Sequence, residues 1–180
     1  MIDQKELEAR LQRCIGVVLG PGKSWDPVNQ PMIRHWCDAM GDENPLYTDA
    51  EFAATTAHGG VIAPPTMIQA WTMVGFTGKP PPGSVGLPPD ADNHFDLLTE
   101  GGYLSVVAVN CDQVYFAAVK PGDDIYHTRM LEEVSAKKQT ALGQGYFLTE
   151  LYQFYRQGEE KVAEMRFRIL RFNPPVAEPG

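Results

Sequence analysis

The strongest constraint on this 180-residue chain is a change of hydrophobic period near Tyr103. Before it, apolar residues recur at helical spacing; after it, they alternate. Ala163, Met165, Phe167 and Ile169 interleave with Glu164, Arg166 and Arg168. Successive side chains of a strand point to opposite faces, so this segment reads as a strand with one dry and one wet face. Strands are expected near 103–118, 124–137, 142–156 and 161–172, joined in part by Pro121-Gly122-Asp123 and Gln157-Gly158-Glu159 hairpins. Such strands make an antiparallel sheet whose dry face has to be covered.

The cover is written earlier in the chain. Residues 66–76 hold Met67, Ile68, Ala70, Trp71, Met73 and Val74. A helix apolar on most sides is normally buried at the centre of a domain. Shorter helices are expected over 3–13 and over 31–40. The second is capped by Asn29 or Gln30, striped by Met32, Ile33, Trp36, Cys37 and Met40, and stopped by Gly41. Asp49 can cap a further short helix to about Ala57. Residues 15–20 read as a strand ended by Gly20-Pro21-Gly22, and 77–95 as a long Pro/Gly-rich loop. The expected fold class is α+β, an antiparallel sheet wrapped around one long buried helix. Its edge strands invite pairing with another subunit.

Charge and composition exclude several function classes. The net charge is −8 and no dense run of Lys or Arg occurs, so a nucleic-acid partner is not expected. No apolar run reaches the roughly 18–20 residues of a membrane helix, so no membrane span is expected. Cys14, Cys37 and Cys111 form no CxxC pair; with a charged N-terminus they suggest reduced thiols, a cytoplasmic location and no metal site. Residues 1–172 are expected to form one domain. Residues 173–180 (Asn-Pro-Pro-Val-Ala-Glu-Pro-Gly) read as a Pro-rich linker that stops where a further domain would begin.

Two segments carry the chemistry: Met40-Gly41-Asp42-Glu43-Asn44-Pro45-Leu46-Tyr47-Thr48-Asp49 and Val61-Ile62-Ala63-Pro64-Pro65-Thr66-Met67. Both resemble the MaoC-like dehydratase family, in its subgroup of paired hot-dog domains. The resemblance runs from about Pro27 to Phe172. It implies a hot-dog fold and addition of water to a 2-enoyl thioester, with acyl-CoA as substrate and no cofactor or metal. In active members the first segment reads Gly-Asp-x-Asn-Pro-x-His-x-Asp. Its early Asp and its His share the proton transfers of hydration, within hydrogen-bond reach of one water. A backbone N–H at the entry to the buried helix holds the enolate oxygen.

This chain keeps Asp42, Asn44, Pro45 and Asp49 but has Tyr47 at the His position. A phenol with a reference pKa near 10 is a poor base at neutral pH. Pro64-Pro65 replaces the His-Gly entry, and proline has no N–H. The resemblance therefore implies a non-catalytic, pocket-forming subunit of a heteromeric enoyl-CoA hydratase, a lyase. No catalytic residue is expected in this chain, Asp42 and Tyr47 being degenerate motif positions. Asn44, Tyr47, Pro65, Met67 and Trp71 are expected to bind substrate. A second MaoC-like hot-dog subunit would carry the Asp/His pair. The Pro-rich C-terminus resembles actinobacterial MaoC-like subunits that act on steroid side-chain thioesters. Three alternatives stand: an acyl-ACP dehydratase subunit of fatty-acid elongation, a self-sufficient dehydratase using Asp42 with Tyr47 or His58, and an acyl-thioester binding module without chemistry. The plainer reading of Asp42 is that it caps or braces the Asn44-Pro45 turn. His35, His58, His94 and His127 are read as structural or surface residues, and Lys79 as solvated.

Overall fold

A computed structural model describes residues 2–174. Helix α1 (Gln4–Cys14) begins at Asp3, whose carboxylate accepts from the N–H groups of Lys5 and Glu6 at 2.8 and 3.1 Å. Its buried side chains, Leu7, Leu11 and Cys14, lie one helical turn apart and so face one way. Helix α2 (Gln30–Met40) is capped by Asn29, which accepts from Met32 N–H at 3.0 Å, and carries Pro31 in its first turn. Gly41 ends it at φ 64°, a left-handed conformation that glycine adopts without Cβ strain. Ile33 and Cys37 of the predicted stripe are buried, whereas Met40 lies outside the packed face. Two short helices follow, α3 (Pro45–Thr48) and α4 (Ala50–Ala54).

The sheet contains β1 (Val18–Lys23), β2 (Ser105–Tyr115), β3 (Ile125–Val134), β4 (Lys138–Thr140), β5 (Gly143–Arg156) and β6 (Glu160–Asn173). Its order is β1-β3-β5-β6-β2, with β4 paired to β5, and all its named pairings are antiparallel. Strand β1 differs from the sequence reading: it runs through Gly20-Pro21-Gly22 instead of ending there. It can do so because it is an edge strand with an irregularity between Leu19 and Gly22, a setting that tolerates proline. Gly22 has a second use. A Cβ there would collide with the His127 ring, so the missing side chain makes room for the imidazole.

The central helix also departs from expectation. It is a short 3-10 helix, Pro65–Thr72, rather than a long α-helix reaching Phe76. The two prolines at its start supply no N–H, and the chain becomes extended at Met73. Met73 and Val74, expected on the buried helix, are consequently exposed, as is Phe76. The 77–95 segment is a loop up to Asn93, which caps a helix the sequence reading missed, α5 (His94–Glu100). Strand β6 runs through Asn173; the remainder of the expected linker, 175–180, lies outside the described residues.

The inner face of the sheet packs against the helices in two apolar clusters. One joins Ile33 and Cys37 of α2 and Met67, Ile68 and Trp71 of the 3-10 helix to Ile125, Phe154, Ala163 and Met165. The other joins α1 and α5 to Leu131, Leu148 and Ile169. Strand register places His127 and Arg129 between Ile125 and Leu131 on β3, and Glu150 and Tyr152 between Leu148 and Phe154 on β5. A polar seam therefore crosses the inner face between the two clusters.

Candidate functional site

The motif segment is built from short caps. Asp42 Oδ1 accepts the Asn44 N–H at 3.1 Å, and Asn44 Oδ1 accepts the Leu46 N–H at 3.1 Å, starting α3. Asp49 accepts from Glu51 and Phe52 N–H, both at 2.9 Å, starting α4. Each motif acceptor is thus engaged by the backbone of its own turn, the usual use of Asx side chains at helix starts. Tyr47 packs half-buried against the first cluster, and its carbonyl accepts from Gln30 Nε2 at 2.7 Å. Burial and then the nearby Asp42 charge push its phenol above the ordinary range. It is therefore protonated at neutral pH and can donate a proton in a hydrogen bond, but not act as a base.

The entry to the 3-10 helix is equally closed to oxyanion chemistry. Ala63 N–H is spent on Val119 O at 2.8 Å, and Pro64 and Pro65 have none. Met67 N–H donates to Pro64 O at 3.0 Å. The motif's His position is thus a tyrosine, and neither Ala63 nor the two prolines offers a free N–H at this entry.

The 3-10 helix separates two cavities. One, of about 280 Å³, is lined by Pro65, Ile68 and Trp71 together with His58, Tyr115 and Phe116. The other, of about 370 Å³, lies beside Gln69 and Thr72, under the 80–87 part of the long loop. Of the residues expected to bind substrate, Pro65 and Trp71 meet in the smaller cavity. Met67 is wholly buried in the core, Asn44 caps α3, and Tyr47 contacts the same cluster as Trp71. The structure does not gather the five around one space.

The larger cavity has residues that the sequence reading did not assign to a site: His127 was read as structural, and Arg129 and Tyr152 were not singled out. His127 and Arg129 of β3 and Tyr152 of β5 line it. Behind them Glu150, 2% exposed, accepts from the Tyr152 hydroxyl at 3.1 Å and lies 3.7 Å from Arg129 Nη1. His94 Nε2 lies 3.3 Å from Glu150 Oε1, at an angle that makes no hydrogen bond. Burial alone would raise the Glu150 pKa; His94 and Arg129 outweigh it and hold the carboxyl below the usual range. Burial, then Glu150, pushes Tyr152 up to about 12. Burial, then the Arg129 charge, pushes His127 down to about 4, so it is neutral at physiological pH. The legible signal was charged residues on the dry parity of β3 and β5. The His94–Glu150 contact, 56 residues apart, left no local spacing to read.

The long loop is tied down over this cavity. Val85 N–H donates to Pro21 O at 2.8 Å, and Lys23 N–H to Ser84 Oγ at 3.1 Å. At its far end Asp92 pairs with Arg10 and Arg13 of α1, and Arg10 holds its carboxyl below the ordinary range. The cavity is therefore roofed by a strapped segment.

Comparison with known proteins places this geometry. The family model described as "FAS1-like, dehydratase domain region" matches residues 13–165. A probable enoyl-CoA hydratase alpha subunit of Thermomonospora curvata is 45% identical over 97% of this chain and 54% of its own length. The 3-oxo-4,17-pregnadiene-20-carboxyl-CoA hydratase alpha subunit of Mycobacterium tuberculosis is 43% identical over 86% of this chain and 49% of its own. The chain thus spans about half the length of these curated relatives. A chain in the crystal structure of the ChsH1-ChsH2 complex from Mycobacterium tuberculosis superposes with a TM-score of 0.81 at 38% identity, over 94% of this chain and 98% of that one. The MaoC-like dehydratase from Rhodospirillum rubrum, at 16% identity and a TM-score of 0.61 over 90% of this chain and 94% of its own, shares the hot-dog fold.

Proposed function

This chain belongs to the FAS1-like dehydratase-region family of MaoC-like hot-dog domains, and from that premise we propose that it is the non-catalytic, pocket-forming part of a heteromeric 2-enoyl-CoA hydratase. The observation that carries this reading is the state of the motif: Asp42 is spent on its own turn, and Tyr47 is a protonated phenol packed on the core. A second hot-dog subunit supplies the Asp/His pair. It protonates Cα and directs water to Cβ of the thioester-activated alkene, without a resident cofactor. This chain contributes walls for the acyl group. The two curated relatives, both alpha subunits of CoA-thioester hydratases and one named for a pregnadiene carboxyl-CoA, support a bulky steroid-type acyl group in lipid breakdown.

Two structural features support the arrangement. The shortened 3-10 helix leaves a cavity of about 370 Å³ where a full helix would fill the sheet; a pocket of that size suits a sizeable apolar ligand. Strand β2 is an edge strand with Val106, Val107, Val109 and Val114 exposed. Covering that edge with a partner strand removes an aggregation liability. Among the described residues no helix is long and apolar enough to cross a membrane.

Co-expression with a small hot-dog subunit bearing an intact Asp/His motif tests the reading. The pair is expected to co-purify and hydrate enoyl-CoA, with little activity from this chain alone. Replacing Tyr47 with Phe in the complex should lower kcat no more than a few-fold. A loss of about 10³-fold, the scale of a removed catalytic group, would place the chemistry in this chain instead.

A further inference from the structure

The larger cavity has an apolar roof of Pro80, Pro81, Val85 and Leu87, yet one wall carries His127, Arg129 and Tyr152 together. Holding that wall in place means burying Glu150 beneath it, 2% exposed. Aliphatic side chains at these positions would pack the sheet at less cost, so the seam is not explained by stability. Strand β1 is shaped around it as well, since Gly22 is what lets the His127 ring lie against the strand.

Resting on the acyl-pocket reading above, we propose that Arg129, with His127 and Tyr152, is a specificity-determining polar wall that takes an uncharged oxygen, a ketone or hydroxyl, on a part of the acyl group remote from the reacting double bond. The oxygen is one that does not react, because on the reading above the reacting double bond lies with the partner's Asp/His pair, whereas this cavity is lined within this chain. The oxygen is uncharged because the Arg129 guanidinium is already balanced by Glu150 at 3.7 Å. A ligand carboxylate would meet Glu150 across a poorly screened interior. A carbonyl oxygen instead accepts an Arg129 N–H and leaves that balance intact. His127, neutral in its surroundings, offers a further donor or acceptor.

The test uses the complex with its hot-dog partner and two saturated tetracyclic acyl-CoA probes, with and without a ketone at the end remote from the carboxyl. Calorimetry is expected to show the ketone probe binding about tenfold tighter or more, the effect of a hydrogen bond from a charged donor. The double variant R129M/E150Q, which removes both charges and leaves no lone buried carboxylate, should bring the two affinities within about twofold. His127→Phe should narrow the gap while keeping the fold, as judged by thermal melting. Equal binding of the two probes by the native complex would overturn the proposal, as would a ketone preference that survives R129M/E150Q or tighter binding of a carboxylate-ended probe. Turnover of the matching 2-enoyl thioesters reads the hydratase assignment separately. Ketone preference without hydration would defeat that assignment and leave the polar wall standing.

Discussion

His127 stands on β3 between two influences that oppose each other: burial and Arg129 disfavour its charge, and Glu150 favours it, the first two prevailing. Its pKa in the fold, about 4, lies below the unfolded value of about 6.5. The unfolded chain therefore takes up the proton first as pH falls. The stability associated with the neutral ring is complete above about pH 6.5 and drains away toward pH 4. The slope reaches up to about 1.4 kcal/mol per pH unit within that window. Glu150, held below its usual range, adds loss in the same direction at more acid pH. Urea unfolding from pH 8 to 4.5 should show this slope in the native chain and a flatter profile in His127→Gln. Equal slopes would mean that other groups govern acid stability. Tyr47 is the contrasting residue. Its identity was readable as a departure from the motif, and its neighbours explain why the departure matters: burial and the Asp42 charge raise the phenol, and the lowering influence of Asn44 does not offset them.

At the scale of elements, strands and capped helices were legible because their causes are local. Asn29, Pro31 and Gly41 mark α2 within a residue, and alternation through 163–169 marks β6. The 3-10 helix was misread because composition alone suggested a long buried helix, whereas Pro64-Pro65 and the extended turn at Met73 cut it short. Helix α5 was hidden behind a proline-rich run whose last residues, Asn93 and the apolar Phe95, Leu97 and Leu98, already held a cap and a packing face. The polar seam was missed for another reason: its partners come from α5, β3 and β5, and only tertiary register brings them together. Strand β2 yields a test at this scale. Val106 and Val114 are exposed on opposite faces of the edge. Changing both to Lys should leave this chain folded by circular dichroism yet sharply reduce recovery of the two-subunit complex. Unchanged complex formation would move the interface away from β2.

Across the whole molecule, two apolar clusters carry the inner face of the sheet. Phe154 is fully buried in the first cluster and opposes His127 and Ala163 across the sheet. Phe154→Ala should cost about 3–5 kcal/mol of unfolding free energy, measured by denaturant titration, because the surrounding strands cannot close the space. A cost below about 1 kcal/mol would show that the seam collapses inward. Phe167 packs against both clusters. The two clusters thereby meet at a polar joint, with one phenyl ring as a shared pin. Hydrogen exchange at the amides of α1 and of the 3-10 helix should then report two opening energies in the free chain. On the proposed reading an acyl group filling the larger cavity would supply the apolar mortar that the joint lacks, so occupancy should draw those two energies together and make the free halves melt as one body.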